Sequence, residues 1–321
     1  MGLSIFYGTK LPDSERHKFL DHVYESGENF WDSSDVYGDS EDLLGQWFKR
    51  TGKRHYIFLA TKFANVCNAD GTSPVKNDPD YIRTACARSH QRLGLEPGDI
   101  IDLYYCHRID PNQPIEITVT AMVELKKEGK IKYLRLSESS AETLRRACKV
   151  HHIAAVQVEY SPFSLEIETN GLLEACRNLG VAVVTYSLFS RGFFTGTIKS
   201  HDDFDESDRR RVLPRCSREN FPKNMQLVNT VKQLADKRQC TSGQLTLAWL
   251  MAQGNDIIPI PGTTKVRNFD ENMDSLQITL TDEEETEIWK AVEVAEITGD
   301  RYPAHMLANL YVDTAPLGKK E

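Results

Sequence analysis

Short apolar runs rich in β-branched and aromatic residues alternate along this chain with longer stretches of helical period, the pattern of βα units around a parallel sheet. The runs predict strands at Asn29–Asp32, Tyr56–Lys62, Ile100–His107, Tyr133–Ser137, Ala154–Tyr160, Ala182–Ser187 and Ile257–Pro261. The longer stretches predict helices. Ser14–Glu25 places Phe19, Leu20 and Val23 on one face, and Asp80–Leu93, Ile115–Glu128, Ala141–Val150 and Leu172–Leu179 follow, with Gly94, Gly129 and Gly180 as stop signals. Asn224–Lys237 and Ser242–Met251 form a later pair. Thr281 with Glu284 three residues on reads as a capping box for a helix running to about Glu296.

The pattern yields seven strands, whereas a closed (β/α)8 barrel has eight. The missing strand belongs before the first helix, where Met1–Tyr7 is apolar but short and runs into Gly8–Asp13, a predicted loop. The expected fold is therefore a TIM-type α/β barrel whose first strand is short or missing. No composition shift, linker or internal repeat marks a second domain, so residues 1–321 read as one barrel unit with a C-terminal tail over 297–321. The polar, arginine-rich stretch from Arg191 to Phe221 is a long insertion of the kind that covers a ligand.

Composition narrows the classes of function. The 321 residues are 40% hydrophobic and 27% charged, ordinary for a globular protein. The net charge of -8 opposes a general nucleic-acid surface, which needs a positive field. Seven cysteines without a C-x-x-C pair fit reduced thiols, hence a cytoplasmic location. No apolar run approaches the roughly 18 residues of a membrane span, and Met1–Lys10 lacks the pattern of a signal peptide.

Chemistry concentrates at predicted strand ends. Asp32 and Tyr37 lie in F-W-D-S-S-D-V-Y-G, Lys62 in F-L-A-T-K-F and His107 in D-L-Y-Y-C-H-R. Successive parallel strands of a barrel bring their ends to one mouth, so a carboxylate, a phenol, an amine and an imidazole would converge there. A carbonyl that accepts hydride develops negative charge on oxygen, and a nearby proton donor lowers that barrier. A free phenol has a pKa of about 10, and an adjacent ammonium favours its anion. This assigns Tyr37 as acid, Lys62 as its tuner, Asp32 as the partner of Lys62, and His107 as a hydrogen-bond donor that orients the carbonyl or as an aid to proton transfer. Two other readings remain open to the same residues: a Schiff-base aldolase using Lys62, and a non-catalytic nucleotide-binding or regulatory barrel.

The tetrad and the segments S-I-F-Y-G, L-S-E-S-S-A-E-T-L-R-R-A, V-Q-V-E-Y-S, Y-S-L-F-S-R-G-F-F-T-G and I-P-I-P-G-T-T-K resemble, in order, those of the aldo-keto reductase superfamily. Gly299–Pro303, G-D-R-Y-P, is similar to the tail of its fungal and bacterial branch. The resemblance implies a small-molecule aldehyde or ketone as substrate and NADPH as cofactor, bound without a G-x-G-x-x-G motif. It implies that Ser137, Glu138 and Gln157 contact the carboxamide, that Tyr186 lies under the nicotinamide ring, and that Ser187, Leu188, Ser190, Arg191 and Gly192 line the pyrophosphate. Gly262, Thr263, Thr264 and Lys265 would open a helix continuing through Asn272. Its N-terminus would seat the 2′-phosphate, with Asn268, Glu271 and Asn272 around the adenine. Glu138, where an asparagine is the alternative, removes a donor. Phe6, Tyr7, Trp31, Phe63 and Arg108 flank the tetrad and are candidates for a substrate pocket or for core packing. His151-His152 reads as a solvated helix end and Arg209-Arg210-Arg211 as a solvated face or a loop anchor.

Overall fold

A computed structural model describes residues 2–5, 10–68, 72–206 and 208–318. Seven parallel strands form one sheet in sequence order: β1 (Phe30–Asp32), β2 (Phe58–Phe63), β3 (Ile101–Cys106), β4 (Ile131–Ser137), β5 (Ala155–Glu159), β6 (Ala182–Tyr186) and β7 (Ile257–Pro259). The register lines up Lys62, Tyr105 and Arg135 across β2, β3 and β4, and Ser137 beside Gln157. Period-2 alternation then sorts the side chains. Leu59, Phe63, Tyr104, Cys106, Leu134, Leu136, Val156 and Val158 join the large core beneath the helices, whereas Ala60, Leu103 and Tyr105 form a small separate cluster with Phe30 and Phe58.

The helices are α1 (Asp13–Glu25), α2 (Ser40–Thr51), α3 (Pro79–Arg92), α4 (Ile115–Lys127), α5 (Ala141–Val150), α6 (Glu166–Thr169), α7 (Leu172–Leu179), α8 (Phe221–Lys237), α9 (Ser242–Ala252), α10 (Val266–Asp274), α11 (Asp282–Glu293) and α12 (Ala304–Leu307). α2 is absent from the predicted series. Its buried stripe of Leu43, Leu44, Trp47 and Phe48 is interrupted by Gly45, a residue that reads as a breaker but serves a close approach. A Cβ there would stand 2.5 Å from the Arg92 carbonyl oxygen at the end of α3. Boundaries move elsewhere. Tyr56 closes a 3-10 turn instead of opening β2, and α11 ends at Glu293 while keeping its predicted Thr281–Glu284 capping box.

No strand precedes α1 within residues 2–5, which form turns and bends, and the rest of the candidate first strand falls largely outside the described residues. Among the described residues no pairing joins β7 to β1. The helical layer does meet there: Phe269 of α10 lies edge-on to Phe19 of α1, 6.1 Å between centroids, and His22 bonds to Asp270 at 2.6 Å. The Arg191–Phe221 insertion is a chain of 3-10 turns with Phe193, Phe194, Phe204 and Cys216 buried. Arg210 is clamped on Asp208, and Arg211 donates to the Phe204 carbonyl, as expected of loop anchors.

Candidate active site

Asp32 ends β1, Lys62 stands next to the end of β2 and His107 follows β3, so their side chains meet at the carboxyl ends of the strands. Lys62 is fully buried. Its ammonium donates to Asp32 Oδ1 and, at 2.6 Å, to the Ser33 carbonyl. Asp32 is held below the usual carboxylate range: burial would raise it, but the positive charge around it, Lys62 foremost and Arg135 with it, together outweighs that effect. Tyr37 reaches the same ammonium from the loop after β1, with Lys62 Nζ 4.8 Å from its ring centroid.

The tuning of Tyr37 differs from expectation. Burial raises its phenol above the ordinary value, and the Lys62 ammonium and Arg108 guanidinium only partly oppose that shift. The group is therefore a protonated donor across neutral pH. His107 packs edge-on against Tyr37 at 5.8 Å. Its Nδ1 lies 3.1 Å from Ser34 Oγ and 3.3 Å from Asn65 Nδ2. An amide nitrogen can only donate, so Nδ1 is the acceptor and Nε2 carries the proton. Burial, with Lys62 and Arg108 adding to it, pushes the imidazole well below its usual value and keeps it neutral.

A supporting layer lies behind these groups, in which Gln157 has a place the sequence reading did not give it. Gln157 Nε2 donates to Asp32 Oδ2 and to the Tyr105 hydroxyl, each at 3.1 Å. Beneath them the buried Arg135 guanidinium lies 4.1 Å over the Tyr105 ring, its nitrogens without hydrogen-bond partners among the described residues. Its charge favours the Asp32 anion. Ser34 and Asn65 carry no motif of their own. Only their nearness to the tetrad positions could have marked them.

The remaining candidates are distributed around the same mouth. Ser137 and Glu138 follow one another at the end of β4, with Ser137 Oγ 3.4 Å from Arg108 Nη1 and Glu138 Oε1 accepting from Tyr186 at 2.7 Å. After β6 the backbone turns left-handed at Ser187 (φ 55°), Ser190 (48°), Arg191 (60°) and Gly192 (105°), while Leu188 is buried. Gly262 and Thr263 precede α10, which starts at Val266 with Lys265 as N-cap and runs to Asp274, a later start than predicted. Glu271 is held by the Thr241 hydroxyl at 2.7 Å, Asn268 is exposed and Asn272 half-buried. Trp31 and Phe63 are core residues, not pocket walls: Trp31 packs on Trp47, and Phe63 stacks on Tyr104 at 5.0 Å. Phe6 and Tyr7 lie outside the described residues. Among the described residues no cluster of His, Cys, Asp or Glu could hold a metal, and no helix is long and apolar enough to cross a membrane.

Comparison of the chain with known proteins points to one group. The chain is 52% identical over 305 residues to aldo-keto reductase str7 of Strobilurus tenacellus, covering 94% of this chain and 88% of that protein. It is 47% identical to aldo-keto reductase yakc [NADP(+)] of Schizosaccharomyces pombe, covering 99% and 94%. In fold it is similar to the glycerol dehydrogenase of Gluconobacter oxydans, with a TM-score of 0.81 at 23% identity over 100% of this chain and 92% of that one. A thermostable aldo-keto reductase in complex with the inhibitor epalrestat gives 0.70 at 24% identity, over 90% and 92%. With the model of the aldo/keto reductase family matching residues 1–293, and relatives near half identity along almost the whole length, the chain belongs to the aldo/keto reductase family.

Proposed function

We propose that this protein reduces an aldehyde or ketone to the alcohol with NADPH, Tyr37 donating the proton. The observation that carries the reading is the cluster of Tyr37, Lys62, Asp32 and His107 at one mouth of a parallel sheet. When bound, the reduced nicotinamide supplies the hydride. The Tyr37 hydroxyl donates to the carbonyl oxygen as charge builds there, and the Lys62 ammonium stabilises the phenolate left behind. Asp32 fixes Lys62, and Gln157 with Tyr105 fixes Asp32. The neutral His107, protonated at Nε2, donates a second hydrogen bond to the same oxygen. Lys62 is engaged as a donor to Asp32 and to the Ser33 carbonyl, which speaks against its use as a Schiff-base amine.

The residues present suit the cofactor. The left-handed turn at Ser190, Arg191 and Gly192 follows β6 at the carboxyl end of the sheet, where its close main chain and the Arg191 guanidinium suit a pyrophosphate. α10 has no side-chain cap, so its first amides and positive end suit a phosphate beside Lys265 and Thr263. Ser137, Glu138, Gln157 and Tyr186 surround the nicotinamide end, and Ser187 and Leu188 continue the wall, while Gly262, Asn268, Glu271 and Asn272 belong to the adenosine end. The chain acts as one barrel unit with the described part of its tail, residues 297–318, folded back on the strand ends, and its free thiols suit a reducing compartment such as the cytoplasm. Titration by quenching of tryptophan fluorescence tests the cofactor assignment. Lys265→Ala is expected to weaken NADPH by about tenfold and leave NADH nearly unchanged, because only NADPH carries the 2′-phosphate. Equal loss for both nucleotides would refute the phosphate seat, and no NADPH binding by the wild type would refute the reading.

A further inference from the structure

Beside the tetrad the mouth holds a second charged network that no proposed catalytic step uses. Glu138, just past β4, and Glu159, closing β5, are both buried, with relative exposures of 0% and 1%. Glu138 Oε1 accepts from the Tyr186 phenol at 2.7 Å and from the Glu159 main-chain amide at 3.2 Å. Its Oε2 faces Nη2 of Arg301 at 3.4 Å, a guanidinium 4% exposed that enters from the C-terminal tail. Arg301 Nη1 stands 3.8 Å from Glu159 Oε2, and Nε stands 3.5 Å from Glu166. The same Glu159 oxygen takes Arg191 at 3.1 Å, and Arg191 lies over the Tyr302 ring at 4.4 Å.

Two ionised carboxylates in such a dry place are unfavourable unless paired. Among the described residues Arg301 is the cation that pairs with both. Without it Glu138 loses its counter-ion, and the carboxylate that accepts from Tyr186 is held less firmly. Without it Glu159 holds Arg191 less firmly, and the left-handed turn at Arg191 loses a restraint. The tail itself does not depend on this pair. Val312 exchanges main-chain bonds with Glu138 and Ser140 at 3.0 and 3.2 Å, and Arg146 donates to the Thr314 and Ala315 carbonyls at 2.8 Å each.

We propose that Arg301 is a positioning residue, which pairs Glu138 and Glu159 from the tail and through them fixes Tyr186 and the Arg191 turn for NADPH. The inference rests on the proposed reading that these two residues meet the cofactor. It gives Glu138 a role other than carboxamide contact, as the joint between tail and ring platform.

The test compares wild type, Arg301→Met, Arg301→Lys, Glu138→Gln and the Arg301→Met/Glu138→Gln double variant. NADPH dissociation constants come from fluorescence titration, and melting temperatures are taken without nucleotide. Arg301→Met and Glu138→Gln are each expected to weaken NADPH about tenfold, and the double variant no further than the weaker single one, because both changes break one pair. Arg301→Lys is expected to recover part of the loss, as it keeps the charge but not the fork. A merely structural arginine would lower the melting temperature and leave the NADPH constants unchanged, and that result overturns the proposal. Should Arg301→Met fail to fold, Arg301→Lys and Glu138→Gln decide by the same comparison. Absence of NADPH binding by the wild type overturns the cofactor reading and this inference together, whereas wild-type binding with unaltered variants overturns this inference alone.

Discussion

At Tyr37 two effects oppose one another: burial raises the phenol, the Lys62 ammonium lowers it, and burial prevails. A proton donor raised above its ordinary value stays loaded as pH climbs. His107 is shifted the opposite way and has lost its proton well before neutrality. Reduction is therefore expected to run at constant kcat from about pH 6 to about pH 9, with the loss at high pH lying beyond the ordinary phenol value of about 10. A pH–rate profile checks this, and a histidine-like limb between about pH 6 and 7 would contradict it. The clustering of Asp32, Tyr37, Lys62 and His107 was legible in the sequence because they lie at or just past the ends of three successive apolar runs, Asp32 and Tyr37 sharing the first. Gln157 was legible only by resemblance, and Arg135 and Arg301 not at all as site residues. Their contacts join positions such as Glu138 and Arg301, which the sequence separates by more than half the chain and only the folded tail brings together.

At the scale of elements, strands and capped helices declare themselves, whereas packing contacts do not. β4 and β5 follow their apolar runs, and the capping box at Thr281 opens α11 where the sequence places it. α2 went unseen because Gly45 sits in its middle, and the reason for that glycine lies on another helix. Gly45→Ala would gain helix propensity in isolation, yet its methyl group would meet the Arg92 carbonyl and the Leu93 main chain. The clash is with backbone, which cannot swing away, so the overpacking is expected to prevail and destabilise the protein by about 1–3 kcal/mol. Urea unfolding of the two proteins checks this. A more stable alanine variant would mean that α2 and α3 can move apart freely.

For the whole molecule, seven strands were legible and their closure was not. The sheet is open between β7 and β1 among the described residues, while α1 and α10 meet across that gap through Phe19, Phe269, His22 and Asp270. Continuity therefore passes through the helical layer there. The tail completes the mouth from the other side, bonding to the main chain at Glu138 and Ser140 and reaching the interior with Arg301. Strand ends, the turn after β6, the loop before α10 and the tail lie at the carboxyl ends of the strands, and the proposed reaction draws on the groups held there. The most direct measurement is oxidation of NADPH, followed by its absorbance, across a panel of aldehydes and ketones, with Tyr37→Phe as the comparison. The expected result is turnover by the wild type and a fall in kcat of about 10²–10⁴ in the variant, with the NADPH dissociation constant nearly unchanged. Full activity in Tyr37→Phe would contradict the account.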